Sequence, residues 1–344
     1  MASRRNFLKG VGAAGVGLTA AGMTGCANVA KATNTASARY NGPHKMPEGV
    51  RLLSMRNADG TETLGAVTDK GVIDVRAVAA KRKIAAPLTL DELLQEGNAD
   101  GLKQVIAAAP SSGVPLLDES RITHGRLFTR PSKIICVGLN YRQHAREVGM
   151  QPPRVPPLFN KYNNALAAHN GTIKLPPKDI SHKFDYETEL LIVMGKAARN
   201  VSEADVLQYV AGYCTSNDFS ARDLQLELPN SQWMIGKTLD NFAPIGPYFV
   251  SADLVGNPNN LKIETRVNGE VRQSSNTNDF IFNTQQMISY ISKFWTLQPG
   301  DIIFTGTPQG VIAGYPKDKQ VWLKAGDEVV SSIEKLGDLK FRLA

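Results

Sequence analysis

No stretch of this 344-residue chain is apolar over the roughly 18 consecutive residues that a membrane-spanning helix needs. Cysteine is scarce: Cys26, Cys136 and Cys214 form no C-x-x-C pair, so a disulfide framework is excluded. Cys136 and Cys214 lie in apolar, strand-like runs and read as small buried hydrophobes. Dense Lys/Arg runs with interleaved aromatics are missing, so nucleic acid is not an expected partner. Acidic residues are missing from the first 25 positions, which hold Arg4, Arg5 and Lys9; without those three the formal charge of +7 falls to +4. A mild positive balance suits anionic substrates. Thr305-Gly306-Thr307-Pro308-Gln309-Gly310 lacks the Lys-Ser/Thr ending of a phosphate loop. No nucleophile elbow surrounds Ser216 or Ser220, and His44, His124, His169 and His182 lack metal-ligand spacing. With 42% hydrophobic and 21% charged residues, what remains has the balance and length for a large core.

Ser3-Arg4-Arg5-Asn6-Phe7-Leu8-Lys9, followed by a Gly/Ala-rich run to Met23, resembles a twin-arginine signal. Met23-Thr24-Gly25-Cys26 resembles a lipobox that would place a lipid on Cys26. Ala30-Lys31-Ala32 offers ordinary cleavage instead; the lipobox is the favoured reading. Gly10-Val11-Gly12-Ala13-Ala14-Gly15 fits the dinucleotide fingerprint in letters only, because no strand precedes it. The expected organisation is a signal over 1–32, a flexible linker over 33–46, a small N-terminal β-rich domain over 47–125 and a catalytic domain over 126–344. The expected location is the periplasm, with membrane attachment through Cys26.

Alternating runs from Val50 to about Val78, split at Asp59-Gly60 and Lys70-Gly71, predict a strand meander. Helical spacing follows over about 90–96 and 99–108. Further on, Lys133–Gly138 opens a strand-rich region, with helices predicted over 143–149, 202–209 and 283–294. An Asn268-Gly269 turn joins two β-formers. Strands of mixed length with few helices predict an α+β, mostly β fold and argue against a doubly wound sheet.

Glu187 and Glu189 stand at i and i+2, so a strand places both carboxylates on one face. They repel unless a cation sits between them, and hard divalent ions suit all-oxygen ligands. Two solvated glutamates on an exposed strand is the simpler alternative. Asp218, after the apolar run Tyr213–Asn217, offers a third carboxylate, or alternatively a helix cap. On a helix, Arg222 and Gln225 would share its face. His144 and Glu147 at i, i+3 form either a general-base pair or a surface salt bridge.

These pieces, with Gly-Leu-Asn-Tyr at 138–141, Asn-Asp-Phe-Ser-Ala-Arg-Asp-Leu-Gln at 217–225, Gly236-Lys237 with Asp240, Pro244–Pro247, Asn268-Gly269-Glu270, Pro299-Gly300-Asp301, Thr305–Pro308 and Gly326-Asp327, resemble the fumarylacetoacetate hydrolase family over about 130–340. The resemblance implies a mixed β-roll, commonly dimeric, around Mg²⁺ or Mn²⁺, with Ca²⁺ also admissible. It places Glu187, Glu189 and Asp218 on the metal ligands. His144 and Glu147 fall on a catalytic dyad in a segment that orders as a lid, with Lys237 also catalytic. Arg222, Gln225, Asn140, Tyr141 and Thr307 fall on substrate contacts. Asn140 replaces an Asp of the eponymous hydrolase, so a fourth carboxylate ligand is not expected. The implied partners are a 2-oxo acid, the twin-arginine export machinery and a second copy of the chain.

The leading expectation is metal-dependent hydrolysis of a C–C bond in an acylpyruvate-type 2,4-dioxo acid through an enolate. The alternatives are decarboxylation of an oxaloacetate-type diacid, isomerisation or hydration of a 2-hydroxydienoate, and binding of 2-oxo acids without turnover. The export reading is testable alone. Replacing Arg4 and Arg5 together with Lys should retain the protein in the cytoplasm of a host with twin-arginine translocation, scored by fractionation; unchanged export would refute the signal.

Overall fold

The computed structural model describes residues 40–344. The expected signal, Cys26 and the start of the linker lie outside the described residues.

The alternating runs after Val50 form the strands Arg51–Arg56, Glu62–Thr68 and Gly71–Asp74, an antiparallel meander. The third strand stops at Asp74, whose carboxylate caps the helix Val75–Arg82 by accepting from the Ala77 amide. The predicted meander ran on to Val78; Asp74 ends it sooner. Helices Leu90–Glu96 and Ala99–Ser112 follow as the spacing predicts, capped by Thr89 and Asn98.

The meander does not close on itself. Arg51–Arg56 pairs with Phe249–Ser251 and so joins a nine-stranded sheet. In space the order continues through Val210–Asn217, Thr188–Met194, Ile302–Phe304 and Ile134–Val137 to Leu158–Asn160. Neighbours are antiparallel except Ile302–Phe304 beside Ile134–Val137. Leu93, Leu102 and Val105 from the N-terminal segment share one apolar cluster with Ile134, Leu191 and Phe304. The boundary expected near residue 125 therefore does not interrupt either sheet or core.

Thr188–Met194 is buried along its whole length, as a strand covered on both faces must be. Leu191 and Val193 enter the first cluster, whereas Leu190, Ile192 and Met194 enter a second one with Met287, Ile288 and Ile291 of the helix Thr284–Ser292. A five-stranded sheet lies beside it, ordered Glu270–Asn276, Lys262–Val267, Glu328–Ile333, Gly337–Leu343, Gly171–Ile173. Thr188 donates to Ser331 across the two sheets at 2.7 Å. The mostly β, α+β class read from sequence holds. The helix predicted over 202–209 is only a 3₁₀ turn, Val206–Tyr209.

His124, from the N-terminal segment, and His169, which leads into the second sheet, meet edge to face with ring centroids 4.5 Å apart. Burial, with His124 and Lys340 adding to it, holds His169 down to about 3; burial also lowers His124, against the pull of Glu119. A depressed folded pKa means that the unfolded chain binds a proton the fold refuses. The pair's contribution is complete above pH 6.5 and is lost as pH falls toward about 3. The melting temperature should therefore fall with pH across this window, and His169→Gln should flatten that fall. An identical slope in the variant would show that the pair does not govern it.

Candidate active site

The centre forms where two neighbouring central strands begin and end. Ser216 opposes Glu189, and Asn217 opposes Thr188. The ladder runs one step further: the Asp218 amide donates to the Glu187 carbonyl at 2.8 Å, and the Glu187 amide to Asn217 Oδ1 at 3.1 Å. Alternation puts Glu187 and Glu189 on one face, and Asp218 turns in from the adjacent strand end. One oxygen from each of the three carboxylates lies within 4.8 Å of the others. All three side chains are buried, so the solvated-glutamate alternative is excluded.

Buried carboxylates demand compensation. Lys237 Nζ donates to Glu187 Oε2 at 2.6 Å and to Asp218 Oδ2 at 2.9 Å. Arg222 bridges Asp185 Oδ2, 2.8 Å from Nε, and Glu187 Oε1, 2.7 Å from Nη2. Its Nη1 donates to Gln225 Oε1 at 2.8 Å. Lys161 Nζ lies 2.6 Å from Asp218 Oδ1. Asp185 also accepts the amides of Ile312 and Ala313 at 2.9 and 3.0 Å.

Glu189 differs. Its Oε2 accepts the Gly306 amide at 2.7 Å, and no cationic side chain pairs with it among the described residues. Burial, then the charges of Asp218 and Glu187, push its carboxyl well above the usual range. Burial pushes Glu187 up as well, but Lys237 and Arg222 outweigh it and hold Glu187 at about 2. Burial opposes the charge on Lys237 too, yet Asp218 and Glu187 raise it overall. Three convergent oxygen donors, one lacking a countercharge, fit a hard divalent cation such as Mg²⁺ or Mn²⁺. Gly306 is required beside Glu189. It sits at φ +93°, and a Cβ there would lie 2.7 Å from Asn140 Cβ.

The helix Arg142–Glu147 carries the dyad. His144 Nδ1 and Glu147 Oε2 are 3.0 Å apart, and Glu147 Oε1 accepts the Gly310 amide at 2.8 Å. Gly310 lies at φ +98°, where a Cβ would strike the Arg272 carbonyl at 2.2 Å. Both members of the dyad are largely buried, so it is more than a surface salt bridge.

Several residues expected to touch a substrate also have contacts within the protein. Asn140 spends its amide on the protein, donating to the Thr305 and Phe282 carbonyls at 2.8 and 3.1 Å and accepting the Phe282 amide at 2.8 Å. Thr307 donates to the Thr188 carbonyl at 3.0 Å and accepts from Gln273 at 2.9 Å. Tyr141 is buried against Phe280, and its hydroxyl has no hydrogen-bond partner among the described residues. Asp218, Arg222 and Gln225 share no helix: Ser220–Ala221 pairs with Phe184–Asp185 before the π-helical turn Asp223–Glu227. Arg222 and Gln225 still meet, with Arg222 aimed at carboxylates. Sequence reading missed Asp185 and Lys161. Asp185 carried a weak signal, two residues before Glu187; Lys161 carried none.

Residues 133–344 match the family model described as the fumarylacetoacetate hydrolase C-terminal region. Over 267 residues the chain is 43% identical to a mitochondrial oxaloacetate tautomerase of Bos taurus, covering 78% of this chain and 82% of the relative. A fumarylacetoacetate hydrolase structure from Exiguobacterium antarcticum matches with a TM-score of 0.71 and 30% identity, across 86% of this chain and 99% of that one. A fumarylpyruvate hydrolase from Pseudomonas aeruginosa, solved with Mn²⁺ and pyruvate, matches with a TM-score of 0.56 and 34% identity, across 63% and 91%.

If Glu189 is a metal ligand, Mn²⁺ at about 100 times its Kd should stabilise the wild-type fold by about 2.7 kcal/mol. Glu189→Gln should lose most of that thermal shift. Without metal its melting temperature should match or exceed the wild type, because an uncompensated buried acid is gone. Equal Mn²⁺ stabilisation of both proteins would remove Glu189 from the ligand set.

Proposed function

Because the chain belongs to the fumarylacetoacetate hydrolase family, we propose that it is a divalent-metal-dependent enzyme that interconverts enol and keto forms of an oxaloacetate-type 2-oxo diacid. The observation that carries metal-dependent enol chemistry is the buried Glu187–Glu189–Asp218 cluster together with the His144–Glu147 dyad. The 43% identical oxaloacetate tautomerase supports the substrate class. Glu187, Glu189 and Asp218 would hold a divalent cation, which when bound would supply positive charge to offset the negative charge that enolisation develops.

The chain's own residues do the rest. Glu147 accepts from Nδ1 of His144 and fixes the tautomer that leaves Nε2 free as a base. Nε2 takes a proton from C3 of the keto acid while the 2-oxo oxygen takes one from water to give the enol, and the reverse direction returns both. The Gly310 amide holds Glu147, so the imidazole keeps its orientation through the cycle. Lys237 keeps Glu187 ionised and holds Asp218 in place by an ion pair.

A second reading, hydrolysis of an acylpyruvate, is favoured by the same dyad, which can deprotonate water, and by the 34% identical fumarylpyruvate hydrolase. Export through the twin-arginine route to the periplasm, a lipid on Cys26 and a homodimer complete the proposal; they rest on the sequence.

The deciding experiment follows enol-oxaloacetate absorbance with Mg²⁺ or Mn²⁺, beside pyruvate release from oxaloacetate and absorbance loss from fumarylpyruvate. Enol decay should accelerate in proportion to enzyme, and His144→Ala should lower kcat by about 10²–10⁴-fold. Cleavage of fumarylpyruvate without tautomerisation would establish the hydrolytic reading instead. Pyruvate release would mark a decarboxylase, and binding without turnover a non-catalytic protein.

A further inference from the structure

Lys161 is a lysine with no exposed side chain. It follows the short edge strand Leu158–Asn160, far in sequence from the carboxylates. Besides its ion pair to Asp218, its Nζ donates to the main-chain carbonyls of Lys237, Phe242 (2.9 Å) and Phe219 (3.4 Å). Those bonds fix the ammonium behind Asp218, on Oδ1, while Lys237 holds Oδ2. Lys161 is thereby anchored to the protein and is not placed to grip a substrate.

Its charge nevertheless shifts the balance of the carboxylate cluster and the cations paired with it. Asp185, Glu187, Glu189 and Asp218 face three cations, Lys161, Arg222 and Lys237, a formal charge of −1. A divalent cation brings the cluster to +1, attractive to a carboxylate. Without Lys161 the loaded centre would be neutral. At an effective dielectric near 20, one fixed charge several ångströms from an anion changes its affinity by about tenfold or more.

We propose that Lys161 is a positioning residue that selects for anionic 2-oxo acids, acting through Asp218 as a buried countercharge on the metal-loaded centre. This rests on the metal-site reading above. The test uses full-length protein, with Lys161→Met and Lys161→Gln; Gln keeps a donor for the carbonyls but carries no charge. Calorimetric titration follows Mn²⁺ alone, then pyruvate and its neutral analogue pyruvamide on the Mn²⁺-loaded protein.

Both variants should bind Mn²⁺ about as tightly as wild type or tighter, bind pyruvate about tenfold or more weakly, and bind pyruvamide unchanged. Equal weakening of pyruvate and pyruvamide would overturn the proposal, because a prop for the site would affect both. So would unchanged pyruvate affinity in Lys161→Gln, the variant that decides the matter if Lys161→Met does not fold. A wild-type protein that takes up no Mn²⁺ would sink the proposed function itself. A wild type that binds both probes, with unshifted variants, sinks only this inference.

Discussion

Everything around the centre follows from burying three carboxylates within 4.8 Å of one another, with a fourth, Asp185, tied to Glu187 through Arg222. An ionised carboxylate away from water is so unfavourable that it must be paired or must take up a proton. Three of the four have cationic partners: Asp185 and Glu187 share Arg222, Glu187 and Asp218 share Lys237, and Asp218 also has Lys161. Glu189 has only a backbone amide, and its carboxyl moves upward accordingly. A network of this kind contributes little net stability, because the Coulombic gain mainly offsets desolvation. Its consequence is a fixed array of oxygens with one charge unbalanced, which is the property a cation site needs.

The fold supplies the rigidity that makes such an array tolerable. Glu187 and Glu189 lead a strand whose next residues are locked between two apolar clusters, so neither carboxylate can swing toward solvent without moving the sheet. The Gly306 and Gly310 amides come from the segment after Ile302–Phe304, the strand paired to that same one. One segment thus positions both the uncompensated carboxylate and the dyad's glutamate. At both glycines, positive φ and close packing exclude a side chain. The N-terminal meander contributes no side chain to the centre, but by pairing with Phe249–Ser251 it continues the sheet that holds it.

Local periodicity carried much of this into the sequence. The i, i+2 spacing of Glu187 and Glu189 was readable because a strand repeats every two residues, and Leu190 to Met194 marked the strand as buried. The i, i+3 spacing of His144 and Glu147 was readable for the corresponding helical reason. Asp218, Arg222 and Gln225 stand out as a group, but helical spacing gives them the wrong local geometry. The short pairing of Ser220–Ala221 with Phe184–Asp185 is a long-range contact that spacing cannot reveal. Lys161 was invisible for the same reason at greater distance, since its partners lie 57 or more residues away. Asn140 looked like a site residue because it belongs to a site motif. Its amide also ties the segments at 282 and 305 together, a long-range role that spacing does not reveal.

The division of labour between cluster and dyad bears on which reaction runs here. Tautomerisation, decarboxylation and C–C hydrolysis all build negative charge on the same oxygen, so the three carboxylates and their cations serve each of them equally. The reactions part over the proton and over water: tautomerisation needs a base that reaches C3, hydrolysis a base that reaches a water molecule. That choice falls to Arg142–Glu147, a helix anchored by the Gln143 amide on Asp279 at one end and by Glu147 on the Gly310 amide at the other. Its outward residues Arg142 and Arg146 line a surface cavity of about 490 Å³ with Met150 and Ile281. Small shifts of this helix would move His144 without disturbing any oxygen of the cluster. On the proposed function, specificity for reaction type would therefore fall to residues 142–151 and the segments that seat them, whereas the carboxylate cluster would set only that the substrate be an anion able to form an enol.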